Sequence, residues 1–261
     1  MIQAAGRKSS AIMGHFARVA REYDRLRATD PEPVYEVVGH LPSHPLIGID
    51  AGSGTGRYAK LIAASLPKGS RILAADVSRH MLTVLAREIF TAKRSDAPVP
   101  VLSVAEQLPL KSGSVDFVTC FNAVHHLVLP TFVKSAARVL RPGGQLFIYT
   151  RTPEQNAQSV WGQRFPRFVD LERRLLPEET LLQAIDRCDG LAVTACKEFR
   201  FDRESTKEEL LQEVWGGRYS TFSLYKPVDL ENAAAHFADS LDAGYVQWVD
   251  RNLLVIAGKI R

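Results

Sequence analysis

Long apolar runs are missing from this chain of 261 residues, and none approaches the roughly 20 residues that a membrane-spanning helix requires. The stretch Met1 to Ser10 also lacks the apolar core of a secretory signal peptide. Cysteine is scarce: Cys120, Cys188 and Cys196 are odd in number and form no C-x-x-C pair. Each lies in an apolar or strand-like context, so reduced, buried thiols are expected and a metal site is not. A cytoplasmic location is the expectation that follows. No internal repeat, low-complexity tract or domain-separating linker is visible, and the length suits one domain with a cap.

Charge of one sign is also lacking over most of the chain. The formal net charge is +4, and residues 1–28 carry all of it, with Arg7, Lys8, Arg18, Arg21, Arg25 and Arg27 against Glu22 and Asp24. Such a segment could serve as a nucleic-acid arm. The commoner origin is the solvated face of an amphipathic helix, and apolar residues at 12, 16, 19, 20, 23 and 26 keep the 3.6-residue period of one.

What is present centres on Leu46 to Tyr58, L-I-G-I-D-A-G-S-G-T-G-R-Y. An apolar run ends on Asp50, glycines alternate at 52, 54 and 56, and a helical pattern begins at once with Ala59, Leu61, Ile62 and Leu66. This predicts a buried strand, a tight turn and a helix start. Glycines there permit positive φ and let a ligand lie against bare backbone, with the amides of the first helical turn pointing into the same space. A phosphate-binding P-loop would need Lys and then Ser or Thr after the last glycine, where this chain has Arg57 and Tyr58. The dinucleotide fingerprint spaces its glycines G-x-G-x-x-G, whereas here they fall G-x-G-x-G.

Further along, Arg71 to Asp76 is a second apolar run closing on an acid, and Ser78 is a natural N-cap for a helix through Met81, Leu82, Leu85 and Ile89. Strands are expected at Val99 to Val104, Val115 to Phe121 and Gln145 to Tyr149, with a helix from Thr131 to Leu140 stopped by Arg141-Pro142-Gly143-Gly144. This alternation predicts parallel βαβ units in a doubly wound α/β sheet. After Thr150 the pattern loosens. A helix opens at Pro177, a sixth strand spans Leu191 to Phe201, helices are expected over 205–215 and 229–243, and Val246 to Ile260 supplies the last strand or pair of strands.

Ligands of open parallel sheets bind beyond the carboxyl ends of the strands, where the strand order reverses. Asp50, Asp76, Glu106, Asn122 and Thr150-Arg151 all fall at such ends. The series D-A-G-S-G-T-G (50–56), A-A-D-V-S (74–78), S-V-A-E-Q-L-P-L (103–110) with D-F-V-T-C-F-N-A-V-H-H-L (116–127), and V-L-R-P-G-G (139–144) resembles the class I S-adenosylmethionine-dependent methyltransferases of the type-11 group, which includes the ubiquinone/menaquinone C-methyltransferases. The resemblance covers residues 12 to 151. It implies a Rossmann-like, mostly parallel seven-stranded sheet with a reversed last strand and helical cap insertions. On that pattern one domain comprises N-terminal helices over 12–42, a cofactor core over 43–150, cap insertions over 151–177 and 202–244, and a last strand over 246–260.

By the same resemblance, Asp50, Gly52, Ser53 and Gly54 would hold the methionine part of S-adenosylmethionine. Asp76 would take the ribose hydroxyls, Val77 and Met81 would pack on the adenine, and Ala105 and Glu106 would flank its edge. Asn122 would lie beside the methionine amino group or the sulfonium, and Tyr23 would close over the cofactor or pack in the core. Many family members carry an acid where this chain has Val104, which leaves the adenine amino group to Glu106, backbone or water. His125 and His126 follow the fourth strand; histidine can serve as a base near neutral pH, and the alternative is a cap or packing role. Methyl transfer needs little help beyond in-line positioning, and no metal is expected.

Aromatics in the two insertions suit a small apolar acceptor or a plain core, with Trp161, Arg218, Tyr219 and Phe222 as the candidate substrate residues. The expected activity is methyl transfer to an O, N or C atom of a small molecule, releasing S-adenosylhomocysteine. Rivals are an RNA or protein methyltransferase, a non-catalytic cofactor binder and an NAD-dependent oxidoreductase. Nucleic acid is not expected as a partner, because Asn122-Ala123-Val124-His125 stands where base N-methylating relatives show N-P-P-Y or D-P-P-Y.

Overall fold

The computed structural model describes residues 29–92, 96–242 and 244–260. The helix expected over residues 12–26, with Tyr23 and the basic cluster, lies outside the described residues. The chain divides into two compact units. The first comprises residues 29–150, 176–199 and 253–261, and the second includes residues 151–175 and 200–252.

The sheet is built from seven strands: β1 (Ile47–Ala51), β2 (Arg71–Asp76), β3 (Val99–Leu102), β4 (Val115–Phe121), β5 (Leu140–Thr150), β6 (Leu191–Thr206) and β7 (Tyr245–Lys259), in the order β3-β2-β1-β4-β5-β7-β6. Strands β1 to β5 pair in parallel, while β7 lies antiparallel to β5, with Tyr149 opposite Leu254. The Rossmann-like sheet with its reversed last strand is therefore present. The order turns back on itself at β1, which is flanked by β2 and β4. Strand ends at such a switch point leave a crevice for ligand.

Successive side chains of a strand point to opposite faces, and the two faces of this sheet are filled differently. Ile49, Ala51, Val118, Cys120, Leu146, Ile148, Val255 and Ala257 point into one core. Helices α4 (Leu129–Val139) and α8 (Glu178–Asp186) cover it with Phe132, Val133, Ala136, Leu181 and Ile185. The alternate residues of the central strands include buried Asp50, Phe117, Thr119, Phe121, Phe147 and Tyr149. Helix α1 (Glu32–Gly39) buries Val34 and Val37, and α2 (Arg57–Ser65) buries Tyr58, Ala59 and Ile62. Tyr58 stacks on Phe121 at 4.3 Å between ring centroids. Helix α3 (Arg79–Ala92) follows β2 and is capped as expected, with the Ser78 hydroxyl accepting from the Met81 amide.

Close approach dictates one strand residue. A Cβ at Gly48 would stand 2.1 Å from the ring of Phe117, itself fully buried on the neighbouring strand. At the far end of the sheet, the Lys259 ammonium donates to the carbonyls of Ala137 and Leu140 at 2.6 and 2.8 Å, closing the carboxyl end of α4.

Three expectations need correction. Arg141 to Gly144 is not a turn outside the sheet: α4 ends at Val139 and β5 starts at Leu140. The turn is absorbed by a register shift opposite Val115 to Phe117, with Gly143 at φ +77°. The sixth strand runs five residues beyond Phe201, to Thr206. Of the three thiols, Cys120 and Cys188 are buried, but Cys196 is exposed, because β6 is the outermost strand and one of its faces meets solvent.

The second unit contains α5 (Pro153–Ala157), α6 (Val160–Arg164), α7 (Phe168–Leu171), α9 (Lys207–Trp215) and α10 (Pro227–Asp239). Its interior is an aromatic cluster of Trp161, Phe165, Phe168, Phe222, Tyr225 and Phe237 packed with aliphatic neighbours. Trp161 stacks on Phe237 at 5.0 Å and meets Phe222 edge-on at 5.3 Å.

Candidate functional site

Strand β1 delivers Asp50 into the interior, and the chain leaves through Gly52, Gly54 and Gly56, all with positive φ (74°, 57° and 76°). A side chain at Gly52 would be excluded twice, by its φ and by the Ala123 Cβ, which would stand 2.5 Å from it. Gly54 is different: among the described residues no atom lies within 4 Å of where its Cβ would be, so the loop presents bare backbone there. The amides of Gly52 and Ser53 are tied to the Ala75 carbonyl at 2.8 and 3.0 Å, which fixes the loop against the end of β2.

Asp76 closes β2 and gathers this loop. Its carboxylate accepts from the Gly54 amide at 2.8 Å and from the Ser78 amide at 2.7 Å, one on each oxygen. A carboxylate oxygen has two lone-pair sites, so each retains one for a further donor. Burial pushes the Asp76 carboxyl above its ordinary range, against the opposing pull of the Ser78, Gly54 and Val77 amides. Asp50 lies deeper, 1% exposed, and accepts from the Thr119 hydroxyl of β4 at 2.8 Å. Burial, reinforced by the charge of Asp76, pushes its carboxyl up to about 7.

Two serines flank Asp76. Ser53 in the glycine loop and Ser103 after β3 each have a buried hydroxyl with no hydrogen-bond partner among the described residues. The Ser103 amide donates to the Asp76 carbonyl at 3.0 Å, which anchors it at the same strand end. Buried hydroxyls are ordinarily satisfied, so two orphans beside one carboxylate mark a place prepared for a polar ligand. The sequence motif around Ser103 points to Val104 and Glu106, not to Ser103 itself. Its one signal is a polar residue directly after a strand on the carboxyl side of the sheet.

The other predicted residues fall as follows. Val77 is half exposed, while Met81 is buried in the first turn of α3. Ala105 is buried in a short 3-10 turn, Ala105–Gln107. Glu106 in that turn is engaged structurally: its carboxylate accepts from the Val128 amide at 2.8 Å, just ahead of α4. Asn122 ends β4 with φ +54°, a left-handed conformation rare outside glycine and best tolerated by asparagine. Its amide donates to the Tyr149 carbonyl at 2.7 Å. Such local strain often marks a functional turn. His125 and His126 form a second 3-10 turn with Val124; their rings are 4.1 Å apart and half buried. Asp50, Gly52, Ser53, Gly54 and Asp76 are thus joined by direct hydrogen bonds or chain adjacency. Ala123, which limits Gly52, links the loop to the turn that carries Asn122 and the histidines.

Of the four candidate substrate residues, Trp161 and Phe222 sit inside the aromatic core of the second unit. Arg218 and Tyr219 lie at its polar edge, with the Arg218 guanidinium 5.6 Å from the Tyr219 ring centroid. Among the described residues, no group of three or more His, Cys, Asp or Glu is placed to hold a metal ion, and no helix is long and apolar enough to cross a membrane.

A family model described as a methyltransferase domain matches residues 49–148. That span covers β1 to β5 and the whole glycine-loop site. The chain is 32% identical over 158 residues to a ubiquinone biosynthesis O-methyltransferase of Xanthomonas oryzae, covering 59% of this chain and 62% of that one. It spans about half the length of several other curated relatives that it matches. A crystal structure from Bacillus halodurans described as a methyltransferase superposes with a TM-score of 0.64 at 19% identity, covering 90% of this chain and 100% of that one. A Streptomyces coelicolor geranyl diphosphate C-methyltransferase, solved with S-adenosyl-L-homocysteine, gives 0.56 at 15%, covering 88% and 75%. At these identities the two structural likenesses establish the fold.

Proposed function

We propose that the protein binds S-adenosylmethionine at the glycine loop and transfers its methyl group to a small-molecule acceptor. The observation that carries this reading is the loop itself: Gly54 presents bare backbone beside an Asp76 carboxylate with lone pairs to spare, between two orphaned serine hydroxyls. A nucleoside offers what such a cradle accepts, a pair of ribose hydroxyls and a planar base. The spare lone pairs of Asp76 would take the hydroxyls. Ser103 and the backbone after β3 would meet the base edge in place of the acid that Val104 replaces, with Val77 and Met81 against the base. Asp50, Gly52, Ser53 and Asn122 would hold the amino-acid portion.

When bound, the cofactor supplies an activated methyl group on a sulfonium. The chain's contribution is to hold the acceptor in line with that methyl and to exclude water, which accounts for much of the acceleration in such transfers. His126, with His125 against it, is assigned to take the proton that an oxygen or nitrogen acceptor releases. The candidate acceptor residues Trp161, Arg218, Tyr219 and Phe222 all belong to the second unit, where Trp161 and Phe222 sit in the aromatic core and Tyr219 packs against it. Two of the relatives are named for different acceptors or pathways, malonyl-acyl-carrier protein and ubiquinone biosynthesis, so neither substrate is carried to this chain.

The test is a release assay for S-adenosylhomocysteine across a metabolite library, on the full chain and on His126→Ala. Release with at least one acceptor supports the reading. His126→Ala should then slow turnover while leaving cofactor affinity within about twofold, the expectation for a group that acts only in the transition state. Equal rates would return the histidine to a packing role, and no release with any acceptor would favour a non-catalytic binder.

A further inference from the structure

Helix α3 carries more apolar surface than its packing uses. Its inward face buries Met81 and Leu85, at 2% and 0% exposure, and a surface helix ordinarily sets polar groups opposite such a stripe. Leu82 lies at the margin of that stripe, and its i, i+4 row continues outward through Ala86 to Phe90. Phe90 is 84% exposed, so the row leaves the core and runs along the outer side of the helix.

Strand β3 ends the sheet on this side and meets that row. Pro100 and Leu102 are two residues apart, so both point to one face of the strand. With Leu82, Ala86 and Phe90 they line an open groove of about 640 Å³ between helix and strand. Small-molecule sites commonly fall between about 300 and 1,000 Å³. The whole groove lies within the unit that contains residues 29–150.

The groove is charged in one sense only. Arg79 and Arg87 also line it, eight residues and hence about 12 Å apart along the helix axis. Among the described residues no carboxylate lines it, and Glu88, the acid of the same helix, pairs instead with Lys60 of α2. Both arginines are exposed, and among the described residues neither has an ion-pair partner. Arginine stems lie readily along apolar surface while the guanidinium stays at its edge.

The kind of occupant follows from the walls. Proline is tolerated at a sheet edge where its missing N–H faces outward, so Pro100 withholds a donor from any added strand. A second copy of the chain, set face to face, would bring Arg79 and Arg87 against their own likeness. A concave apolar floor with a basic rim suits a slender apolar molecule that ends in an acid.

We propose that the groove between α3 and β3 binds a small amphipathic anion, its apolar body along Leu82, Phe90 and Leu102 and its head on Arg79 or Arg87. This site is separate from the glycine loop and independent of methyl transfer.

The test is calorimetry on the full chain with decanoate, 1-decanol and decylammonium, which share a tail and differ in charge. Decanoate should bind about tenfold or more tighter than the alcohol, the scale of a charge-assisted pair of hydrogen bonds, and tighter still than the amine. Arg79→Gln and Arg87→Gln together should bring decanoate down to the alcohol. Phe90→Gln should weaken acid and alcohol alike, by about fivefold. These side chains face solvent, so the wild-type melting curve should persist. If the double variant loses it, the two single variants take its place, and at least one of them should weaken decanoate. Equal affinity for acid and alcohol, or unchanged decanoate affinity in the arginine variants, overturns the proposal. Displacement of decanoate by S-adenosylhomocysteine overturns it too, because the groove would then belong to the cofactor cleft. Vesicles of phosphatidylcholine and phosphatidylserine that bind through Arg79 and Arg87, where decanoate does not, would overturn it in favour of a membrane surface.

Discussion

The two buried polar regions of this protein are built on opposite plans. At the glycine loop the polar work is done by backbone: the amides of Gly54 and Ser78 meet Asp76, and Gly52 and Ser53 meet the carbonyl of Ala75. Its carboxyls are raised by burial, and among the described residues no cation opposes that rise. In the second unit the polar work is done by long side chains paired across distant parts of the sequence, such as Arg151 with Asp250. Glu172 there is held below its ordinary range: burial raises it, but Arg174 and the Thr221 hydroxyl outweigh that. A loop of backbone donors leaves lone pairs for a guest. A paired network is first a piece of architecture.

That contrast makes graded predictions. The largest effect belongs to the architecture of the second unit. Trp161→Ala should lower stability by about 3–5 kcal/mol, read by denaturant unfolding, since Trp161 is 1% exposed and touches Phe165, Phe168, Phe222 and Phe237. A loss under 1 kcal/mol would mean the aromatic cluster is loosely packed and open to a ligand.

Next comes Asp50. A carboxyl at about 7 in the folded chain, well above the value near 4 of an unfolded aspartate, binds more protons folded than unfolded between those values. Its contribution to stability is thus fully present below pH 4 and is lost as pH rises towards 7. Asp50→Asn should remove a fall on the order of 2–4 kcal/mol across that window. Identical pH profiles in the two proteins would show that Asp50 is ionised in the fold.

Glu172→Gln follows. It leaves Arg174 without its charged partner beside Ser220 and should cost about 1.5–3 kcal/mol, seen as a lower melting temperature. An unchanged melting temperature would erase the contrast, because the network would then be ornamental to the fold.

The comparison also explains what the amino-acid order made legible. The first five strands and the glycine loop could be read because each is a local event: an apolar run, a glycine spacing, a cap such as Ser78 three residues before Met81. Asp50 and Asp76 could be placed because a strand end is itself a local feature. The engagement of Glu106 with the Val128 amide could not, since it depends on how a 3-10 turn meets a helix 22 residues on. The Arg151, Arg203, Arg218 and Asp250 cluster was invisible for the same reason in stronger form. Its members come from two strands and two separate loops, and β6 continues to Thr206 through residues whose alternation fades after Phe201. Ser103 was hidden differently: an orphaned hydroxyl is defined by what surrounds it.

The central claim is that the loop between β1 and α2 holds S-adenosylmethionine through Asp76 without depending on that residue for the fold. Calorimetric titration of S-adenosylmethionine into the wild type and Asp76→Ala, with a melting curve for each, tests it most directly. Binding to the wild type, weakened in the variant by about 1–3 kcal/mol as expected for lost hydrogen bonds to a charged group, with the melting temperature held or raised, is the predicted result. No heat with the wild type, or equal affinity in the two proteins, would contradict the account.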